Sequence, residues 1–212
     1  MGALATVEEL GVFMRLPMDT LDTDAAQAVL DGASSLVRSE LHQRLELVID
    51  DVFAVRSPGG RQLLLPELPV LEVTEVRERS AGATFTTLDV ADYEVELGRR
   101  GIVWRLNAEF PRPSGGRGPG GFLEVTYSHG YGTPFNLSSG DPYDPTPERL
   151  PDTITTVVKR VAARGYVNPE AVLQETSGRS ATSYGSSAGL YLSDTDKADL
   201  SEFRPGGKGG TR

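Results

Sequence analysis

Cysteine is absent from this 212-residue chain, which excludes disulfides and thiolate metal sites and leaves the redox compartment open. Histidine is almost absent. His42 and His129 are the only two, and neither has a His or Cys neighbour at a ligand spacing such as H-x-x-x-H. No run approaches the roughly 18 consecutive apolar residues of a membrane span. Met1 to Leu10 holds Glu8-Glu9 and no basic stretch, which is unlike a signal peptide. Positive charge is the scarcer sign, with 21 Lys and Arg against 30 Asp and Glu and a formal charge of −9. That balance excludes a protein that wraps nucleic acid with its whole surface, although an acidic wall would let a duplex pass without holding it. These absences describe a soluble protein made and used inside a cell, long enough to bury a core in one domain or two small ones.

Catalytic constellations are missing too. His129, between a strand and Gly130-Tyr131-Gly132, reads as a turn histidine. Asp19, Asp22 and Asp24 lack the central Gly and terminal Glu of a calcium loop, so Asp24 is expected to cap a helix with the others solvated. Asp194, Asp196 and Asp199 read as acids near the N-terminus of a short helix capped by Ser193. Gly115 to Gly121 lacks the Gly-Lys-Ser/Thr ending of a phosphate loop, and Pro119 removes an amide that such a cradle uses. No serine sits in a G-x-S-x-G elbow. Neither an ion nor a small-molecule cofactor is expected, and no enzymatic activity.

What is present is pattern. Thr6-Val7-Glu8-Glu9 has capping-box form before a short helix that must stop by Pro17. Ala26, Val29, Leu30, Ala33, Leu36, Val37 and Leu41 recur at helical spacing and predict a helix over 24–41. Gly32 inside it points to a close crossing by another element. From Gln43 the period changes to about six short strands in sequence-local order, for which one antiparallel sheet is the economical arrangement. Among them are the hairpin Tyr93–Leu97 and Ile102–Leu106, and a last strand with Leu123, Val125 and Tyr127 facing one way. Pro111 to Gly121 holds five Gly and three Pro and reads as a disordered loop. The helical period resumes after Leu150-Pro151 with Ile154, Val157, Val158, Val161 and Ala162, and Gly165 with Asn168-Pro169 should end it. The fold class expected is α+β: a small helical bundle from both chain ends (1–42 and 131–204) with an inserted antiparallel β-rich domain (43–130) and a flexible tail (205–212).

After that helix comes a polar arm, Gln174 to Gly189, punctuated by Gly178 and Gly185 and carrying the isolated aromatic Tyr184. An ordinary surface loop would look much the same. The alternative is an arm that docks on a partner, adding backbone hydrogen bonds at a sheet edge with Tyr184 as anchor.

The order of these segments resembles the head–tail adaptor (connector, head-completion) proteins of tailed bacteriophages. The likeness rests on the capped start and Ala-rich helix, on Leu68-Pro69-Val70, Asp92-Tyr93-Glu94-Val95 and Val103-Trp104-Arg105. It is best in Val125-Thr126-Tyr127-Ser128-His129-Gly130-Tyr131, Leu150-Pro151, the arm, and Gly189-Leu190-Tyr191-Leu192-Ser193. The long Thr133–Arg149 connection departs from the pattern. The resemblance implies a non-enzymatic virion subunit in the neck, made in the bacterial host cytoplasm. It would form a homo-oligomeric ring, most often of twelve copies, bound to the portal on one side and to a stopper or tail-completion protein on the other. DNA would pass through without sequence-specific binding, and no membrane is involved. The expected partner-binding residues are Glu175, Gly178, Ser183, Tyr184, Gly185, Leu190 and Leu192. The alternative function is a standalone ligand- or carbohydrate-binding β domain on a helical base.

Overall fold

The computed structural model describes residues 2–80, 84–112, 121–134, 147–167, 174–177, 180–183 and 189–205, with side chains left out at 174–177 and 180–183. The chain divides into two compact units, one of Met1–His42, Thr133–Gly140 and Arg149–Arg212, the other of Gln43–Gly132 and Asp141–Glu148. The class is α+β, a helical bundle from both chain ends with an antiparallel β-rich unit between them.

In the helical unit, α1 (Val7–Met14) begins as its sequence requires: Thr6 Oγ1 accepts from the Glu9 amide at 3.1 Å, and Glu9 Oε2 accepts from the Thr6 amide at 3.0 Å. Helix α2 (Thr23–Leu41) is capped by Asp22 rather than Asp24. The cap must stand in extended backbone ahead of the first turn. Asp22 does so and takes the amides of Asp24 and Ala25, which leaves Asp24 within that turn. One stripe of α2, from Ala26 through Leu30, Ala33 and Val37 to Leu41, is fully buried. It packs on α3 (Asp152–Val167), whose own stripe of Ile154, Val157, Val158, Val161 and Ala162 is equally buried. Burying each Leu, Ile or Val contributes about 1.5–3 kcal/mol. Ser34, buried on α2, gives its hydroxyl proton to the Leu30 carbonyl and accepts the Leu4 amide at 3.0 Å, so the N-terminal segment is pinned to the helix. Gly165, expected to end α3, lies inside it. Helix α4 (Asp194–Leu200) closes the bundle and buries Leu200.

Among the described residues the β unit holds seven strands in two sheets, not about six in one. β1 (Val48–Arg56), β3 (Val70–Arg79), β4 (Thr86–Thr87) and β7 (Phe122–His129) form one sheet in the order β1-β7-β3-β4. β2 (Gln62–Leu64), β5 (Tyr93–Glu96) and β6 (Ile102–Arg105) form the other, in the order β2-β6-β5. The alternation of side chains gives each strand's inner face but not its neighbour, and the last strand, β7, inserts between the first and third. The inner faces meet in one cluster, with Val76, Leu123, Val125 and Tyr127 from the larger sheet and Leu63, Val103 and Tyr93 from the smaller. A bulge between Val48 and Asp51, with Asp50 at φ 51°, bends the start of β1.

Candidate functional site

The segment between α3 and α4 pairs with itself. β8 (Gln174–Ser177) and β9 (Ser180–Ser183) run antiparallel, with Gln174 opposite Ser183 and Ser177 opposite Ser180. Only Gly178 and Arg179 stand between the paired ends, the short connection that a hairpin favours. An extended arm was expected here. Folding back on itself limits each four-residue strand to a span of about 14 Å, at ~3.4 Å per residue. No third strand joins this pair among the described residues. A lone two-stranded ribbon is marginal in water, because both outer edges keep unpaired amides and carbonyls.

The segment that follows the hairpin in sequence and leads into α4 is held firmly from Leu190 on. Leu190 rests in a notch made by two glycines, Gly32 on α2 and Gly165 on α3. A Cβ at Gly32 would stand 2.6 Å from Leu190 Cδ1, and one at Gly165 would stand 2.7 Å from its Cδ2. The close crossing inferred from Gly32 is therefore made by a side chain, and Leu190 still keeps 38% of its surface exposed. The next residue, Tyr191, lies under the Arg164 guanidinium at 4.6 Å, and its carbonyl accepts from Arg164 Nη2 at 3.0 Å.

Asp196 completes the anchor. Ser193 and Asp196 form a capping box, Asp196 Oδ2 accepting the Ser193 amide at 3.0 Å and its hydroxyl at 2.7 Å. Arg164 Nη2 donates to the same oxygen at 2.5 Å, and Arg160 Nε stands 3.3 Å from Oδ1. The carboxylate is 1% exposed. Burial pushes its pKa up, but the hydrogen bonds from Ser193 and Arg164 outweigh it and hold the group below its ordinary value. Arg160 also pairs with Asp199, and Arg204 with Glu40 on α2. Ser193 caps the helix with Asp194 and Asp196 in its first turn, as expected, and Asp196 is in addition the charged centre of the α3–α4 contact.

Of the residues expected to bind partners, Glu175 lies in β8 opposite Thr182, and Ser183 ends β9. Gly178, Tyr184 and Gly185 lie outside the described residues. Leu190 lies in the glycine notch, and Leu192 is half-buried just before the Ser193 cap. Sequence reasoning missed Arg160 and Arg164, and read Gly165 as a helix end rather than as one wall of the Leu190 notch. Their signal was available: two arginines four residues apart on α3 and a Ser-x-x-Asp box after a hydrophobic pair.

The β unit offers other surfaces. The outer face of its three-stranded sheet forms an open cleft of about 350 Å³ lined by Arg61, Glu94, Glu96, Trp104, Arg105 and Leu106. Trp104 Nε1 donates to Glu96 Oε1 at 2.8 Å, and Arg100 Nη1 to Glu96 Oε2 at 2.8 Å. These two bonds, Arg100 first, hold the Glu96 carboxyl below its ordinary pKa. His129 is not a turn residue but the buried end of β7, with Nε2 3.2 Å from Asp51 Oδ2 and its ring 5.0 Å from that of Tyr127. Among the described residues, no three His, Asp or Glu gather as a metal site would require, and no helix is long and apolar enough to cross a membrane. On the helical unit, Val12, Phe13, Leu16 and Met18 leave an exposed apolar strip along and just beyond α1.

A helical bundle whose chain is interrupted by a two-sheet β unit, with a two-stranded hairpin after its third helix, defines the class by architecture. No family model and no curated protein matches the chain. Among solved structures it is similar to a chain in the neck of an empty gene transfer agent particle computed with C6 symmetry. That match has 20% identity, covers 95% of this chain and 89% of that one, and gives a TM-score of 0.54. It is also similar to a chain in the virion of the native gene transfer agent particle, at 19% identity, with the same 95% and 89% coverage and a TM-score of 0.53. At such identities the likeness is one of fold.

Proposed function

We propose that this protein is a structural, non-enzymatic subunit of the neck of a phage-like particle, a head–tail adaptor that forms a ring beneath the portal and links the head to the stopper or tail. The observation that carries the reading is the fold likeness to a neck chain over 95% of this chain. Six-fold symmetry in that neck suits a ring of six or of twelve copies. Two features of this chain support assembly. The strip of Val12, Phe13, Leu16 and Met18 is apolar surface that a neighbouring copy would cover. Among the described residues the β8–β9 ribbon has two open edges, and the chain after it is fixed at Leu190, Tyr191 and Asp196. In this reading the hairpin and Tyr184 dock on the portal or on the next subunit by strand addition.

The test is co-assembly with the portal protein of the same particle. Wild-type protein should attach to portal-bearing heads as a ring of many 22.8 kDa copies. Tyr184→Ala should leave the free subunit folded, by circular dichroism, while weakening attachment. Normal incorporation of that variant into particles, or a density map with the hairpin packed wholly on its own subunit, refutes the docking role.

A further inference from the structure

The outer face of the four-stranded sheet ends in a row of alternating arginine and phenylalanine. Arg56 closes β1, Phe122 opens β7 and Arg79 closes β3. The register sets Arg56 opposite Phe122 and Arg79 opposite Phe122, so the three stand side by side on one face. Arg56 Cζ lies 5.9 Å from the Phe122 ring centre and Arg79 Cζ lies 4.8 Å from it on the other side. The ladder continues past β3, where Arg79 and Arg77 lie 4.8 Å and 5.2 Å from the ring of Phe85.

The charges in this ladder are unequal. Arg77 is neutralised by Glu124, its neighbour on β7, at 2.6 Å. Arg56 and Arg79 have no carboxylate within ion-pair distance among the described residues; their partners are ring faces. That is unexpected in a chain with 30 acids and 21 bases, where carboxylates are in surplus.

A guanidinium lying on an aromatic face keeps its plane fixed and its N–H edge free, ready for two parallel bonds to an oxyanion. Strands lie about 4.8 Å apart, so Arg56 and Arg79, two strands removed, are about 10 Å apart. A protein surface would need two carboxylates matched to that spacing. A duplex carries one charge per roughly 1.7 Å of its axis and meets both arginines in any register.

We infer that the row Arg56–Phe122–Arg79 is a binding site for the phosphodiester backbone of nucleic acid, engaged without sequence preference. It contacts the polymer locally, which a chain of net charge −9 permits where whole-surface wrapping is excluded. The site stands apart from the neck reading: loss of DNA contact leaves ring assembly intact, and failure to form a ring leaves this contact intact.

The experiment uses the full-length protein and a fluorescein-labelled 20-mer, as duplex and as single strand, followed by anisotropy from about 20 to 200 mM NaCl. Neutralising two phosphate contacts contributes a slope of log K against log salt of about −1.8 on duplex and about −1.4 on single strand. The double variant Arg56→Gln/Arg79→Gln should lose that much slope and about tenfold or more in affinity at 50 mM salt. Lys197→Gln, on the other unit, should behave as wild type, and Trp104 fluorescence checks that the β unit is folded. A slope loss confined to one probe assigns the site to duplex or to single strand, and Phe122→Ala, which removes the ring that orients both guanidinia, should weaken both probes. Unchanged slope and affinity in the double variant overturn the inference. So does the absence of binding at 20 mM salt. Competition by a glutamate polymer as effective as DNA would assign the row to an acidic protein surface instead.

Discussion

Replacing Asp196 with Asn keeps the side chain's shape and an oxygen for the Ser193 amide, but removes the charge that two arginines face. Taking one partner out of a buried ion pair costs about 3–5 kcal/mol, because the charge left behind is not solvated. Here the side chains of Arg160 and Arg164 keep 31% and 29% of their surface, and Arg160 has Asp199 besides. They rehydrate in part, which lowers the expected cost to about 2–3 kcal/mol. The loss falls on the α3–α4 contact and on the segment that leads into α4, not on the α2–α3 core. Amide hydrogen exchange separates the two. Protection across residues 189–203 should drop by about 30- to 150-fold, at 1.4 kcal/mol per factor of ten, while the buried stripe of α2 keeps its protection. The pH dependence gives a second check. The folded pKa of Asp196 lies below its ordinary value, so its contribution is complete above about pH 4 and fades as pH falls through the folded value. Asp196→Asn should flatten that acid limb. A loss of less than about threefold in local protection, or equal loss in α2 and α4, would refute the idea that this buried charge anchors the segment that follows the hairpin.

Two further outcomes follow from buried contacts. His129 is fully buried; burial pushes its pKa below the ordinary value despite the Asp51 hydrogen bond. The unfolded chain therefore takes up a proton first, and stability of the β unit should fall as pH drops below about 6.5, the ordinary histidine value. Urea midpoints read by Trp104 fluorescence should show this slope in wild type and lose it in His129→Gln. Leu190→Ala empties the Gly32–Gly165 notch and should cost about 1–2 kcal/mol, less than the 2–5 of a fully buried leucine, because the side chain is part exposed. Denaturant titration of the helical signal measures it, and a neutral result would mean that the notch is not filled in solution.

Much of this molecule was written locally. The Thr6–Glu9 box, the stripe from Ala26 to Leu41 and the stripe from Ile154 to Ala162 follow from interactions within three or four residues, which a sequence displays directly. The hairpin β5–β6 was legible for the same reason, since its two halves are joined by Gly98 to Gly101. Gly32 announced a close approach without naming what approaches. What the tertiary structure alone decided are pairings between distant residues. β7 lies between β1 and β3 because sheet order is set by packing of the whole inner face, and alternation tells a strand its faces but not its neighbours. Leu190 meets Gly32 and Gly165 across long stretches of chain, and Asp196 meets Arg160 and Arg164, because helix packing brings together residues that no local pattern links. The Arg56–Phe122–Arg79 row belongs to the same kind. Its members are scattered through the sequence, and only the register of three strands places them side by side.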